Sequence, residues 1–282
     1  MNNRTVLVLD STQISSFLEC PAAWQFRHKE HLTLSAEVRE DFAMGTYGHK
    51  LLEIFYRQKK NGCGIDECVR KAQEFNFDEL APFPLAEKTR ESVRQRFNEY
   101  WMVYSRNDIE PKIVEEGFSF ELLSNAHCLY VLEGRIDILG LFDMQKCFMD
   151  HKWQGRRHEL YSKAIQFRNY ALATGCRLGI INYIRLAKET TDKTFARKVI
   201  TFTAYELEQW RKELISIYDR IAYSISCANA FNGGRLEQNF GACSGRYGYP
   251  CSFTPICEEH NLDVKENIKK SLFKIEKEWK PW

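Results

Sequence analysis

Two aspartates and a lysine carry the most chemistry in this chain. Gly134-Arg135-Ile136-Asp137-Ile138 sets a carboxylate between two isoleucines, and Asp150-His151-Lys152 closes the next apolar stretch. Burying an unpaired charge is costly, so an acid inside an apolar strand calls for a partner. Strand side chains alternate faces, which puts Asp150 and Lys152 on one side and His151 on the other. The segment between the two aspartates is long enough for a hairpin that brings them together. Such a set suits Mg²⁺, which takes oxygen ligands and keeps several waters; two carboxylates and a backbone carbonyl form its protein half. A metal held there polarises a phosphoryl oxygen and lowers the pKa of a bound water. A lysine beside it orients that water or stabilises charge building on the phosphate. The plainer alternative is a surface ion pair, the usual fate of an isolated Asp-x-Lys.

Two further motifs extend the constellation. Gln166 and Tyr170 lie four apart on the helix that follows, hence on one face, where they can orient the lysine or contact a nucleic-acid backbone. Alone they would more often be a solvated glutamine and a core-edge tyrosine. Upstream, Gly45 to His49 places a histidine on a helix beside two glycines that permit close backbone approach. Neutral imidazole is a competent metal ligand, although a single helical histidine is more often structural.

These residues need elements to position them. From Ser11, STQISSFLECPAAWQFRHK reads as two helical pieces broken at Cys20-Pro21, because proline disfavours helix for the residue before it. DFAMGTYGHKLLEIFYRQKK follows, a helix with one apolar face through Met44, Leu51, Leu52 and Phe55. Two more helices are predicted between Ile65 and Arg106, the second carrying Val93, Phe97, Trp101 and Tyr104. After Pro111 the pattern changes. IVEEGFSFELL, LYVLEGRIDILGLFD and KCFMDHK are short apolar segments separated by turn-like residues, a strand meander. A helix is predicted from about Glu159 to Ala173, then strands near Gly179–Leu186 and Lys198–Phe202. Thr203 with Glu206 makes a capping box that opens a long helix to about Ala230. A Gly/Cys-rich loop from Gly241 to Cys257 and a charged helix complete the chain. This order predicts an α/β (α+β) fold with a central mixed sheet flanked by helices. Residues 11–110 form its helical segment, 111–203 its sheet core and 204–282 its C-terminal helices and cysteine loop, in one domain over 1–282.

Composition sets the class. An apolar fraction of 44% and an aromatic fraction of 13% exclude a disordered chain. A net charge of +2 gives no global attraction to nucleic acid, but a local basic groove suffices for binding. No apolar run reaches transmembrane length, and Met1 to Asp10 is too short and polar for a signal peptide. A reducing, cytoplasmic setting with no membrane partner is therefore expected. Ten cysteines in that setting point to metal binding before disulfides. Cys243, Cys251 and Cys257 share one loop, whereas Cys63, Cys68, Cys128, Cys147, Cys176 and Cys227 show no such pattern.

Gly45-x-x-x-His49, Gly134-Arg135-Ile136-Asp137, Asp150-His151-Lys152 and Gln166-x-x-x-Tyr170 occur in the order and approximate spacing of one known group. They resemble the RecB-like exonuclease branch of the PD-(D/E)XK nuclease superfamily, and Ser15-x-Phe17-x-x-Cys20-Pro21 resembles its start. That branch includes the RecB nuclease domain, CRISPR-associated RecB-like exonucleases and many phage nucleases, with roles in DNA repair and recombination. The likeness runs from about Ser11 to Cys257 and implies a restriction-endonuclease-like core. By resemblance, His49, Asp137 and Asp150 bind Mg²⁺ or Mn²⁺ with the carbonyl of His151. Lys152 is then catalytic, and Gln166 and Tyr170 support substrate positioning. Glu115 or Glu116 lies where family members often carry a further acid, and Glu116 is preferred. Trp153 departs from the small Thr or Ser that commonly follows the lysine.

Relatives of this kind bind a 4Fe–4S cluster through one cysteine near the N-terminus and three near the C-terminus. The implied ligands are Cys20, Cys243, Cys251 and Cys257, with Cys227 or His260 as substitutes. Zinc is the other option, but its usual closely spaced cysteine pairs are missing. The implied activity is hydrolysis of DNA phosphodiester bonds, from ends and on single strands. Trp24, Tyr47, Trp153 and Tyr170 are candidate stacking platforms for unpaired bases. One alternative is a nucleic-acid-binding or assembly subunit that has lost catalysis, against which the complete acid–lysine set argues. The other is a structure-specific or RNA-directed endonuclease, because fold does not fix substrate.

Overall fold

The computed structural model describes residues 4–35, 40–80, 85–105, 108–154, 164–186, 194–244, 250–277 and 279–281. Its first elements are β1 (Thr5–Leu9), α1 (Ser11–Glu19), α2 (Pro21–Trp24) and β2 (Leu32–Leu34). Three helices follow, α3 (Glu40–Lys60), α4 (Ile65–Gln73) and α5 (Glu87–Tyr104). Next come β3 (Glu110–Ser124), β4 (Cys128–Phe142), β5 (Gln145–Gln154), α6 (Ile165–Thr174), β6 (Leu178–Arg185) and β7 (Phe195–Thr201). The chain continues through α7 (Ala204–Phe231), α8 (Thr254–Glu258), α9 (Leu262–Leu272) and β8 (Phe273–Ile275). Hydrogen bonding orders the main sheet β1-β4-β5-β6-β7, with β3 also on β4. The β1–β4 and β5–β6 pairs are parallel, and the β4–β5 and β6–β7 pairs antiparallel. The fold is thus a mixed central sheet flanked by helices.

The chain packs as two compact units. One holds Met1–Glu37, Ser119–Gly134 and Gln209–Pro281; the other holds Val38–Phe118 and Arg135–Glu208. In the second unit, strand alternation sorts the side chains of β5 into two layers. Cys147, Met149 and Trp153 join a core with Leu51 and Phe55 of α3 and Phe97 of α5. Phe148 faces the opposite way, toward Phe167 of α6 and Ile181 of β6. Asp150 and Lys152 therefore fall on the α6 side of β5, and His151 on the α3 side.

The β4–β5 hairpin sets which residues meet. Phe142 pairs with Gln145 across a two-residue turn, Asp143-Met144, whose φ angles are both positive, 47° and 63°. That mirror-type turn matches the twist of the flanking strands and fixes their register. Pairing proceeds to Ile138↔Met149, and the next opposed residues are Asp137 and Asp150. A turn six residues away thus brings the two predicted acids together.

Helix α3 is seated on β5 through a glycine. A Cβ at Gly48 would fall inside the Trp153 indole, whereas Gly45 has open space around the same position. Gly48→Ala is expected to cost about 1–3 kcal/mol through overpacking. The cost should shrink in a Trp153→Thr background, where the indole is gone. Denaturant unfolding of the two single variants and the double variant measures that coupling.

In the first unit β1 pairs with the start of β4, from Thr5↔Cys128 to Leu9↔Leu132. Tyr218 of α7 reaches the carbonyls of Val131 (2.7 Å) and Leu9 (3.3 Å), binding both strands to the helix. A small apolar cluster of Leu32, Phe253, Ile256 and Phe273 surrounds the antiparallel β2–β8 pair. Sequence patterning did not predict β1, β2 or β8. All three are short, and each takes a partner far along the chain.

Helix ends follow their local signals. Cys20 separates α1 from α2 with an extended backbone, as its following proline requires. Thr203 N–H donates to Glu206 Oε2 (2.7 Å) and Glu206 N–H to Thr203 Oγ1 (3.1 Å), a reciprocal capping box. The expected start of the helix near Glu159 lies outside the described residues, as do residues 245–249 of the cysteine loop.

Candidate functional site

The β4–β5 ladder ends at Ile138↔Met149. Beyond it, the N–H of His151 donates to Asp137 Oδ2 at 2.7 Å, in place of a strand carbonyl. Asp137 Oδ2 also lies 3.4 Å from His49 Nδ1, and Glu115 Oε1 lies 3.9 Å from the same nitrogen. His49, Glu115 and Asp137 each offer a ligand atom within 4.8 Å of the others. Helix α3 and strands β3 and β4 each contribute one of them.

The acid in this grouping is Glu115, whereas Glu116 is exposed. Glu115 has φ of +47° inside a strand, a left-handed conformation uncommon for a residue with a side chain. Local irregularities of this kind re-aim side chains beside active sites. Simple alternation along β3 therefore misassigns this position, and the nearby Gly117 is the only local hint of irregular backbone.

Asp150 lies beside this group and is 1% exposed. Its Oδ1 accepts from Gln166 Nε2 at 3.0 Å, and its Oδ2 lies 2.7 Å from Lys152 Nζ. Lys152 Nζ donates to Gln166 Oε1 at 3.0 Å. Gln166 Nε2 also donates to Tyr170 OH (2.7 Å), and Tyr170 OH donates to the Arg135 carbonyl (2.7 Å). One amide on α6 therefore grips both the acid and the amine of Asp-x-Lys, and its neighbour one turn on fastens to β4. The structure brings together Asp137, Asp150, Lys152, Gln166, Tyr170 and His49. His151 contributes differently, because its ring points to the opposite face and packs on Tyr56. Only its backbone faces the acids.

Burial makes the site ready for a cation. It pushes the Asp150 carboxyl up to about 6, against a pull from Lys152 that outweighs the push from Asp137. Burial also raises Asp137, against the opposing pull of His49. For His49, burial favours the neutral ring, yet Asp137, Glu115 and Asp150 together raise its pKa. Below about pH 6 Asp150 carries a proton that a bound divalent ion would displace. Because the Asp150 pKa lies above its ordinary 3.8, its ionisation destabilises the fold: stability is highest below 3.8 and falls as pH rises to about 6. Metal binding must expel these protons. Mg²⁺ affinity is therefore expected to rise with pH through about 6, with proton release visible as a buffer-dependent enthalpy in calorimetry. Affinity independent of pH across that range would remove Asp150 and His49 from the site.

The donors present fit a hard divalent ion: carboxylate oxygens and one imidazole, partly buried, with an electrostatic need for positive charge. Arg135 lies at the rim, 46% exposed, with Nε 3.3 Å from Glu115 Oε2.

The four predicted stacking residues do not serve that purpose. Trp24 and Tyr47 are 0% exposed, Tyr170 4% and Trp153 9%, so each is spent on packing. Composition alone does not distinguish a buried ring from a presented one. Cys20, Cys243, Cys251 and Cys257 belong to the first unit. Asn239 N–H donates to Cys20 Sγ at 3.4 Å, and the Cys251 N–H donates to the Cys243 carbonyl at 2.9 Å. Burial raises the Cys251 and Cys257 thiols, Cys257 to about 11, and the neighbouring Cys20 and Cys243 push both further up. Among the described residues, no three of these thiols lie within 4.8 Å of one another.

This fold and site define a nuclease class. The family model of the PD-(D/E)XK nuclease superfamily matches residues 11–258, and the chain belongs to that superfamily. Its reaction class is phosphodiester hydrolysis, its substrate class nucleic acid. Among solved structures, the chain is similar to one titled "Crystal structure of SSO0001", at 10% identity and a TM-score of 0.34, over 80% of this chain and 86% of that one. No curated protein matches it. No described helix is long and apolar enough to cross a membrane.

Proposed function

We propose that this protein is a Mg²⁺- or Mn²⁺-dependent deoxyribonuclease of the RecB-like branch, acting on single-stranded DNA from its ends. The observation that carries the reading is the grouping of His49, Glu115 and Asp137 beside the Asp150–Lys152–Gln166 triangle. A bound divalent metal would supply Lewis-acid polarisation and a water of lowered pKa. His49, Glu115, Asp137 and Asp150 would hold it, with the His151 carbonyl as a backbone ligand. Lys152 orients the attacking water or stabilises the charge that develops on the phosphate. Gln166 keeps the lysine amine from rotating away, and Tyr170 keeps Gln166 in place. Arg135, exposed at the rim, takes a neighbouring phosphate of the strand. The branch and the end preference rest on the four motifs and their spacing. Digestion of 5′- and 3′-labelled single- and double-stranded DNA tests them. Mononucleotides released from one end support the reading; internal cuts in uniform ladders make the protein an endonuclease.

Residues 1–282 form a single nuclease domain, in which Cys20, Cys243, Cys251 and Cys257 hold a 4Fe–4S cluster. Anaerobically purified protein is expected to be brown and to carry about four irons per chain. Cys20→Ser should bleach it and lower its thermal stability, because metal held by the native state adds to that state's stability. Cys63→Ser should do neither. Colourless protein with one zinc would reassign the site.

A further inference from the structure

One row of side chains breaks the apolar pattern on the sheet face that meets α3 and α5. His151, Asn182 and Arg197 are register partners on β5, β6 and β7. Around them Met149, Trp153, Ile180 and Ile184 belong to the apolar core. Asn182 is 0% exposed, and its Nδ2 meets His151 Nδ1 at 2.7 Å. Arg197 Nε donates to Asn182 Oδ1 at 3.5 Å, which fixes the amide's orientation. The amide N–H is then the donor to His151 Nδ1, and the imidazole proton sits on Nε2.

The row continues to a buried carboxylate. Arg197 Nη2 donates to Tyr100 OH (2.6 Å) and to Asp108 Oδ1 (2.7 Å). Asp108, its side chain 2% exposed, receives Lys59 Nζ on its other oxygen at 2.7 Å. Tyr56 OH donates to Asp108 Oδ1 at 3.1 Å, and its ring stacks on His151 at 5.5 Å and 23°. The imidazole is thus held at its edge and on its face by two arms that both end on Asp108. Apolar side chains would pack in this row without the desolvation cost of so many buried polar groups. Position supplies the reason. His151 sits between Asp150 and Lys152 and anchors Asp137 through its own N–H. Tyr56 and Lys59 lie on the helix that carries His49.

We propose that Asn182 is a positioning residue of the nuclease, holding His151 so that the backbone between Asp150 and Lys152 keeps the metal ligands in place. The inference rests on the nuclease reading above. Asn182→Leu keeps the side-chain size and removes both hydrogen bonds. Asn182→Asp keeps the shape, with Arg197 to counter its charge, and reverses the bond so that His151 donates from Nδ1. Calorimetric Mn²⁺ affinity, metal-free melting temperature and imidazole ¹⁵N shifts are the readouts, with Asp150→Ala in parallel. The leucine variant is expected to lose about 10–100-fold in Mn²⁺ affinity, as partners behind metal ligands do. The aspartate variant should regain most of it, with the proton moved from Nε2 to Nδ1. Unchanged Mn²⁺ affinity in a folded Asn182→Leu overturns the proposal. If that variant does not fold, Asn182→Asp decides: an unmoved proton or a lost affinity overturns it. Should Asp150→Ala itself bind Mn²⁺ and cleave normally, the nuclease reading falls first. If Asp150→Ala loses Mn²⁺ and Asn182→Leu does not, the positioning role alone falls.

Discussion

Asp150→Ala is expected to abolish DNA cleavage while leaving the fold intact. The carboxylate is buried and carries a raised pKa, so in the metal-free protein it is an electrostatic burden and not a packing element. Metal-free Asp150→Asn should therefore melt no lower than the parent above pH about 6, where the parent's acid is ionised. The added metal, in contrast, should no longer raise the melting temperature. Lewis-acid stabilisation supplies several kcal/mol to the transition state, and each 1.36 kcal/mol is tenfold, so a rate loss of about 10³ or more is expected. Cleavage at the parent rate would remove Asp150 from the site. A variant that unfolds would instead mark it as structural.

Lys152→Ala has the second-largest expected effect, and it should separate binding from turnover. Its amine sits 2.7 Å from Asp150 and is fastened by Gln166, with no place among the three clustered donors. Its loss removes charge stabilisation from the transition state, about 10²–10³ in kcat. Metal affinity should hold or rise slightly, because a positive neighbour of the ion has gone. If turnover at saturating metal were normal and only the metal titration moved, Lys152 would be an ion-pair partner of Asp150 and nothing more. Gln166→Ala should show a weaker form of the same split, since it frees the amine without deleting it.

Much of the site was legible because it depends on short-range rules. Alternation along β5 places Asp150 and Lys152 together, and the hairpin returns Asp137 to them; neither step needs tertiary information. The helix signals at Cys20-Pro21 and Thr203/Glu206 are equally local. The choice between Glu115 and Glu116 was not legible, because Glu115 itself is left-handed and breaks the alternation of β3. Asn182 was hidden for another reason. Its partner His151 is set by the parallel β5–β6 register, which no local pattern fixes, and Arg197 by the antiparallel β6–β7 register. The stacking residues show the opposite error. An aromatic ring near a motif looks available until packing is known: Trp153 is consumed where α3 meets β5, and Tyr47 against Phe75 and Phe77.

The central claim is that one metal centre, built on Asp137, Asp150 and Lys152, hydrolyses DNA. The most direct measurement is a time course on end-labelled DNA with wild-type protein, titrated with Mg²⁺ or Mn²⁺ and then with a chelator. Cleavage is expected to saturate with metal, to stop on chelation and to be missing in Asp150→Ala under the same conditions. No cleavage at saturating metal, or cleavage indifferent both to the chelator and to Asp150→Ala, would contradict it.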